Sequence, residues 1–295
     1  MKNTIFTGAG VAIVTPFTPE GNIDYDGLGQ LIEEQIGGGT DAIIICGTTG
    51  ESATMTDEEH RQAIKYAVEK TAKRIPVIAG TGSNDTKYAI ELSQYAESVG
   101  ADGLLLVTPY YNKSSQRGLI AHFTAIAESV NIPIILYNIP SRTGVSLEVS
   151  TIAKLAEHKN IVAVKEASGS MSYAAKLIAA CGDKIDVYSG NDDMIVPLMS
   201  IGAKGVISVL SNVAPKAAHE IAQAALDGDY EKAGKMQIDY LDLINALFIE
   251  VNPIPVKEAL NLMNKPSGGC RMPLFPMEEK NILVLKAALE NHGLM

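Results

Sequence analysis

Apolar residues fall in short runs along this chain, and polar or turn-forming residues separate one run from the next. Runs of four or five apolar residues with such borders are typical of β-strands that are buried on both faces. Eight runs occur, and they begin about 20 to 35 residues apart, which leaves room for a crossover helix between parallel strands. We predict strands at residues 11–14, 42–46, 76–79, 104–107, 134–137, 161–164, 185–188 and 206–209.

The segments between these strands have the spacing of amphipathic helices. Thr56 and Glu59 form a capping box that predicts a helix to about residue 73, and Asn84 is expected to cap a second helix that stops at Gly100. Further helices are predicted at residues 116–130, 147–158, 170–181, 191–201 and 214–227. Eight repeats of strand and helix favour an α/β fold of the (β/α)8 barrel type, with a doubly wound open sheet as the alternative.

The strand pattern ends before Gly228. Helical spacing continues after it, with a break at Asn252-Pro253-Ile254-Pro255, and predicts helices at residues 229–250, 255–264 and 276–292. We therefore expect two domains, a (β/α)8 barrel over residues 1–228 and a small C-terminal helical domain over residues 229–295.

The composition restricts the partners of the protein. The net charge is −10 and the pI is near 5.0, whereas nucleic acids and anionic membranes require clustered Lys and Arg. No apolar run approaches the ~20 residues that span a bilayer, and the N-terminus lacks the apolar run of a signal peptide. The three cysteines show no CxxC spacing, which fits a reducing cytoplasm. The five histidines lack metal-ligand spacing, so we expect no bound metal and place most of them on helix surfaces.

Lys165 occupies an unusual place for a lysine, directly after the apolar run 161–164. Burial lowers the pKa of a lysine, and the neutral amine is a nucleophile that can form an imine with a carbonyl carbon. The alternative is a strand-end lysine whose flexible stem reaches solvent.

Polar residues also follow the other strands, and in a (β/α)8 barrel the active site lies at that end. Tyr137 ends the strand before Lys165, and adjacent strands lie ~4.8 Å apart, so the phenol can reach the amine. Thr48 follows the second strand and can hydrogen-bond the phenol. This set suits imine chemistry, in which the phenol transfers the protons.

Two further features suit a carboxylate ligand. The glycines of Gly47-Thr48-Thr49-Gly50 allow backbone N–H groups to approach an anion, although an ordinary strand-to-helix turn has the same pattern. Arg142 can bind a carboxylate with two hydrogen bonds, or it is a surface arginine. Tyr110-Tyr111 is either functional or a packing pair.

These residues resemble those of the pyruvate-dependent class I aldolases, the family of dihydrodipicolinate synthase and N-acetylneuraminate lyase. The resemblance covers essentially the whole chain and rests on the motifs at residues 47–51, 137–140, 164–166 and 252–257. Thr48-Thr49, Tyr110-Tyr111 and Ser141-Arg142-Thr143-Gly144 are similar to the synthase branch in particular.

The resemblance implies a lyase that condenses pyruvate with L-aspartate 4-semialdehyde to 4-hydroxy-tetrahydrodipicolinate, the first committed step towards diaminopimelate and lysine. One alternative is another aldolase of the family that acts on N-acetylneuraminate or a 2-keto-3-deoxy sugar acid. Another is a barrel that only senses a keto acid, and Lys165, Tyr137 and Thr48 argue against it because a sensor needs no proton relay.

The resemblance also implies a role for each residue. Lys165 would form the imine with pyruvate, without a cofactor, and Tyr137 would relay protons. Thr48 would link Tyr137 to Tyr111 of a neighbouring subunit in a homotetramer built from two tight dimers. The residues that would contact the substrates are Thr49, Arg142, Gly190 and Ile207.

In some members of the family lysine binds at the dimer interface. The matching positions here are Ser52, Ala53, Asp57, His60, Asn84, Tyr88 and Tyr110. Asp57 stands where a histidine is often found, and Tyr88 stands where a glutamate would bind the ammonium group of the effector. We therefore expect weak or absent inhibition by lysine.

Overall fold

The structure is a computed structural model that describes residues 4–295. The first three residues of the predicted barrel domain, which belong to the N-terminal segment, lie outside the described residues. Within this range eight strands occur: β1 Gly8–Ala12, β2 Ala42–Ile45, β3 Val77–Gly80, β4 Gly103–Val107, β5 Ile134–Asn138, β6 Ile161–Glu166, β7 Asp186–Ser189 and β8 Gly205–Ser208. Each pairs in parallel with the next, and β8 pairs with β1, so the sheet closes. The predicted barrel is confirmed, and the open-sheet alternative is wrong.

Helices surround the barrel and continue beyond it. Over residues 4–295 they are α1 Tyr25–Gly37, α2 Asp57–Thr71, α3 Thr86–Ser98, α4 Gln116–Glu128, α5 Pro140–Thr143, α6 Val149–Leu155, α7 Met171–Cys181, α8 Ile195–Ser200, α9 Pro215–Leu226, α10 Tyr230–Asp239, α11 Leu241–Ala246, α12 Ile254–Leu262 and α13 Glu279–Asn291. Short 3₁₀ turns lie at Ser52–Thr54, Gly182–Lys184, Asp192–Met194 and Leu210–Asn212. None of these helices is long and apolar enough to cross a bilayer.

The first strand begins earlier than the apolar pattern predicts. It starts at Gly8, which pairs with Gly205 on β8, and a Cβ atom on Gly205 would lie 1.9 Å from the carbonyl oxygen of Gly8. Only glycine permits so close a backbone approach. A strand that begins with glycine has no apolar run to mark its start. The strand predicted at residues 11–14 therefore begins and ends later than the observed strand, Gly8–Ala12.

The predicted helices need two corrections, and one helix was not predicted. The apolar spacing does not predict α1, which contains three glycines and has a low helix propensity. Asp85, not Asn84, caps α3, since its side chain accepts the Lys87 N–H at 2.9 Å. The predicted helix at 229–250 is two helices, α10 and α11, which meet at Tyr240. The capping box of Thr56 and Glu59 at the start of α2 is confirmed.

Apolar side chains fill the interior of the barrel and close its lower end. Phe6 stacks on Tyr188 with ring centroids 4.4 Å apart, and the Tyr188 hydroxyl donates to the Phe6 carbonyl oxygen at 2.6 Å. Above them lie buried residues such as Ile44, Ile78 and Ile135, each worth roughly 1.5–3 kcal/mol of hydrophobic stabilisation. Within residues 4–295 these side chains fill the lower part of the barrel, and the predicted site residues lie at the upper end, where the strands end.

The C-terminal helices bring additional residues to this upper end. α10 packs on α8 and α9, while α11 and α12 pack on α13. α12 also contacts the 3₁₀ turn Leu210–Asn212, which follows β8. Residues near the start of α12 thereby reach the end of the barrel at which the predicted site residues lie.

Candidate active site

Lys165 lies on β6 and its Cα is paired with that of Tyr137 on β5. Both side chains are buried, and the Lys165 Nζ lies 4.4 Å from the centroid of the Tyr137 ring. The two residues are neighbours because their strands are adjacent and in register. The alternative that Lys165 reaches solvent is wrong, since the side chain is only 6% exposed.

The environment of Lys165 favours its neutral form. Burial lowers the pKa of the amine from 10.5 to about 8; Arg142 acts in the same direction, and the carboxyl group of Asp192 opposes it. At pH 7 about a tenth of an amine with that pKa is neutral, against well under a thousandth for an ordinary lysine. An amine with such a lowered pKa is a better nucleophile near neutral pH than an ordinary lysine.

The environment of Tyr137 favours its protonated form. Burial raises the pKa of the phenol to about 12, while Arg142 and a hydrogen bond to the Thr48 side chain partly oppose the shift. A phenol that keeps its proton beside a neutral amine can donate it to an oxygen that leaves or develops charge. The predicted set of lysine, tyrosine and threonine is thus assembled within one chain.

Asn252 is a member of the site that the sequence reasoning missed. Its side-chain Nδ2 donates to Thr49 Oγ1 at 3.0 Å, and its carbonyl oxygen accepts from Arg142 Nη2 at 3.0 Å. Asn252 therefore joins the threonine loop to the arginine. Two sequence signals marked this position, the break at Asn252-Pro253-Ile254-Pro255 and the family motif at residues 252–257, but neither assigned Asn252 a contact in the site.

Two cavities adjoin these residues. The smaller, about 50 Å³, is lined by Thr48, Thr49, Lys165 and Asn252 among others, and it has room for a molecule of a few heavy atoms. The larger, about 410 Å³, shares Thr48, Tyr137 and Arg142 with the smaller but does not reach Lys165. Because the chemistry requires the amine, the smaller cavity is the candidate reaction site.

Gly190 and Ile207 differ in their relation to this cavity. Gly190 lines it, and a Cβ atom there would lie 3.1 Å from Lys165 Cε and 2.6 Å from Ala167 Cβ, so any larger residue would crowd the lysine. Ile207 is buried in the inner apolar cluster of the barrel and is not among the residues that line either cavity.

Tyr111 lies apart from the other catalytic candidates within this chain. It is 92% exposed, it has a φ of 65°, and it lines neither cavity. Its proposed contact with Thr48 therefore requires a neighbouring subunit and stays a prediction.

The residues predicted to form an effector site are grouped around the larger cavity. Ser52, Ala53, His60, Tyr88 and Tyr110 line it. The two remaining residues of the set lie beside it: the Asn84 side chain donates to the Tyr110 carbonyl oxygen at 3.3 Å, and Asp57 is hydrogen-bonded to Tyr88.

The carboxylate of Asp57 already accepts hydrogen bonds from two neighbouring side chains. It accepts from Arg61 Nε at 2.8 Å and from the Tyr88 hydroxyl, and these hydrogen bonds, that of Arg61 above all, lower its pKa. An incoming ammonium group would thus meet a carboxylate whose charge Arg61 already balances.

Two of the five histidines are not the helix-surface residues that the sequence predicts. His60 and His122 are buried, and the other three are partly buried. The His60 ring lies 2.8 Å from the Gly80 carbonyl oxygen, a contact that holds it in place. Among residues 4–295 no group of three or more His, Cys, Asp or Glu side chains could hold a metal ion.

Comparison with known proteins gives a consistent result. A model described as the dihydrodipicolinate synthetase family matches residues 5–292. The chain is 58% identical to a 4-hydroxy-tetrahydrodipicolinate synthase of Acetivibrio thermocellus, over 100% of both chains, and 54% identical to one of Clostridium novyi, over 98% of both. It is also similar to the solved structure of a chloride-inhibited dihydrodipicolinate synthase from Acinetobacter baumannii complexed with pyruvate. That match has a TM-score of 0.97 and 47% identity and covers 99% of this chain and 100% of the other.

Proposed function

This chain belongs to the dihydrodipicolinate synthetase family, and on that premise we propose that it condenses pyruvate with L-aspartate 4-semialdehyde to 4-hydroxy-tetrahydrodipicolinate. The observation that carries the proposal is the pair of Lys165 and Tyr137 at the small cavity, one with a lowered and the other with a raised pKa. The family and its named relatives favour this reaction over the cleavage of N-acetylneuraminate or a keto-deoxy sugar acid.

The first stage forms the imine. The neutral Lys165 amine attacks C2 of pyruvate, and the carbonyl oxygen takes up protons and leaves as water, so a C=O bond is replaced by a C=N bond. Tyr137 donates a proton to the departing oxygen and recovers one through Thr48, with which it is hydrogen-bonded. Backbone N–H groups of Thr48 and Thr49 hold the pyruvate carboxylate.

The second stage forms the carbon–carbon bond. The relay of Tyr137 and Thr48 takes up a C3 proton from the imine, which becomes an enamine. The enamine attacks the aldehyde carbon of the semialdehyde, and Tyr137 returns a proton to the new alkoxide. The amino group of the bound semialdehyde then attacks the imine carbon, closes the ring and releases Lys165. Arg142, beside the cavity, holds the carboxylate of the semialdehyde.

The chemistry needs no cofactor, since Lys165 itself supplies the covalent bond. The exposure of Tyr111 supports a tight dimer in which each subunit lends this residue to the other, two such dimers forming a tetramer. The division into a barrel of residues 1–228 and a helical domain of residues 229–295 is supported by the end of the strands at Ser208. A biosynthetic role and the cysteine pattern support a cytoplasmic location.

Borohydride trapping tests the function directly. Incubation with pyruvate and borohydride should reduce the imine and leave a stable adduct on Lys165, located by peptide mass spectrometry. Turnover with aspartate semialdehyde but not with N-acetylneuraminate should follow. Adduct formation with the opposite preference would favour the alternative aldolase, and no adduct would contradict the mechanism altogether.

Lysine should inhibit the enzyme weakly or not at all. Replacement of a glutamate by Tyr88 removes a charge-assisted contact worth roughly 1.5–3 kcal/mol, or about ten- to a hundredfold in affinity. Initial rates across a lysine titration check this. A Tyr88→Glu variant is the matched comparison and should become more sensitive, whereas a submillimolar inhibition constant for the unaltered protein would contradict the prediction.

A further inference from the structure

A buried ion pair lies directly behind the threonine loop. Lys257 on α12 places its Nζ 2.8 Å from Glu51 Oε1, and both side chains are only 1% exposed. The same Nζ donates to the carbonyl oxygens of Thr15 at 3.0 Å and Gly269 at 2.7 Å. One ammonium group thus joins four segments of chain: the loops after β1 and β2, α12, and the segment before α13.

Glu51 is the last residue of the loop that contains Thr48 and Thr49. It has a φ of 55°, in the left-handed region that is unfavourable for a residue with a side chain. Its backbone N–H donates to the Thr48 carbonyl oxygen at 3.1 Å, and its second carboxylate oxygen accepts from the Arg271 backbone N–H at 2.9 Å. The Glu51 side chain is thus tethered to Lys257 and Arg271, while its backbone is tethered to Thr48.

We propose that Glu51 and Lys257 are positioning residues that hold the loop of residues 47–51 in the conformation that binds the carboxylate of pyruvate. The proposal rests on the proposed function, because it assigns the ion pair a role in binding that substrate. Neither side chain lines the cavity that contains Lys165, so their effect on the substrate passes through Thr48 and Thr49.

Physical reasoning supports positioning over simple stabilisation. Two buried charges lose their hydration, so a buried ion pair contributes little more to stability than apolar residues of the same volume. It does impose geometry, since the loss of either partner leaves an uncompensated charge that must move towards water. A second tether acts on the same loop: Asn252, just before α12, donates to Thr49 Oγ1 at 3.0 Å.

The expected effect is on pyruvate affinity. The loop contacts the carboxylate both before and during the reaction, and loss of such uniform binding raises KM more than it lowers kcat. Glu51→Gln keeps the size of the side chain and removes its charge, and Lys257→Met removes the ammonium group. We expect each to raise KM for pyruvate about tenfold or more and to lower kcat less.

The matched control is Lys154→Met. It breaks the ion pair of Lys154 with Glu157, which is exposed and lies on the surface at α6, so KM for pyruvate should not change. The double variant Glu51→Gln/Lys257→Met should be no worse than Lys257→Met alone, because the two residues act as one unit. The pyruvate concentration that half-saturates borohydride trapping should rise in parallel with KM.

The outcomes separate this inference from the function on which it rests. An unaltered protein that forms no adduct contradicts the proposed function. An unaltered protein that forms the adduct, together with a Glu51→Gln variant that melts at a lower temperature but keeps its KM for pyruvate, overturns the positioning role. If Lys257→Met does not fold, Glu51→Gln decides the question alone, since it keeps the size of the side chain and one of its two acceptor oxygens.

Discussion

A Lys165→Met variant should lose almost all turnover and form no adduct at this position with pyruvate and borohydride. Without the amine there is no covalent intermediate, and the loss of a group on which every step depends should cost on the order of 10⁴-fold or more in kcat/KM. Methionine has a similar volume and carries no charge to bury, so the barrel should stay folded, and circular dichroism and thermal melting check this. Retained turnover would contradict the assignment of Lys165.

The pH dependence of trapping in the unaltered protein provides the control. Burial holds the pKa of Lys165 near 8, below its usual 10.5, so the reactive neutral form increases as the pH rises through 8. The trapping rate should rise from pH 6 to about pH 9 and then level. A rate that kept rising beyond pH 10 would indicate an ordinary surface lysine as the site of the adduct.

The sequence predicted the part of the site that follows from strand order. Tyr137 and Lys165 each end an apolar run, the two runs are consecutive, and a parallel barrel places consecutive strands side by side. Their Cα atoms are indeed paired, and the shifts in pKa arise from the burial that the apolar runs implied. Local pattern and simple topology were sufficient for this part.

The sequence did not predict the contacts of Asn252 and Lys257. Asn252 lies 203 residues from its partner Thr49, and Lys257 lies 206 residues from Glu51. Periodicity reports which positions are buried, but it does not reveal which polar group meets which across two distant segments. Lys257 lies within an apolar helix, and only the packing of α12 on the barrel gives it a carboxylate partner.

A Tyr137→Phe variant should still form the imine but turn over slowly. The ring, over which the Lys165 amine lies at 4.4 Å, is kept, so packing and the environment of the amine are preserved. The variant lacks the hydroxyl that donates a proton to the departing water and, later, to the alkoxide. Positioned acid–base groups contribute about 10²–10⁴-fold to rate. We therefore expect kcat to fall by roughly that factor while borohydride still traps pyruvate on Lys165.

Two further variants test whether the loss of rate is specific to the proton relay of Tyr137. Tyr240→Phe removes a hydroxyl from a partly buried tyrosine between α10 and α11, outside both cavities, and should leave kcat unchanged. Thr48→Val removes the hydroxyl that is hydrogen-bonded to Tyr137 and should lower kcat, but by less, because the phenol can still donate its proton. A kcat for Tyr137→Phe within a few-fold of the unaltered protein would mean that another group carries the proton. The raised pKa of Tyr137 would then reflect burial alone.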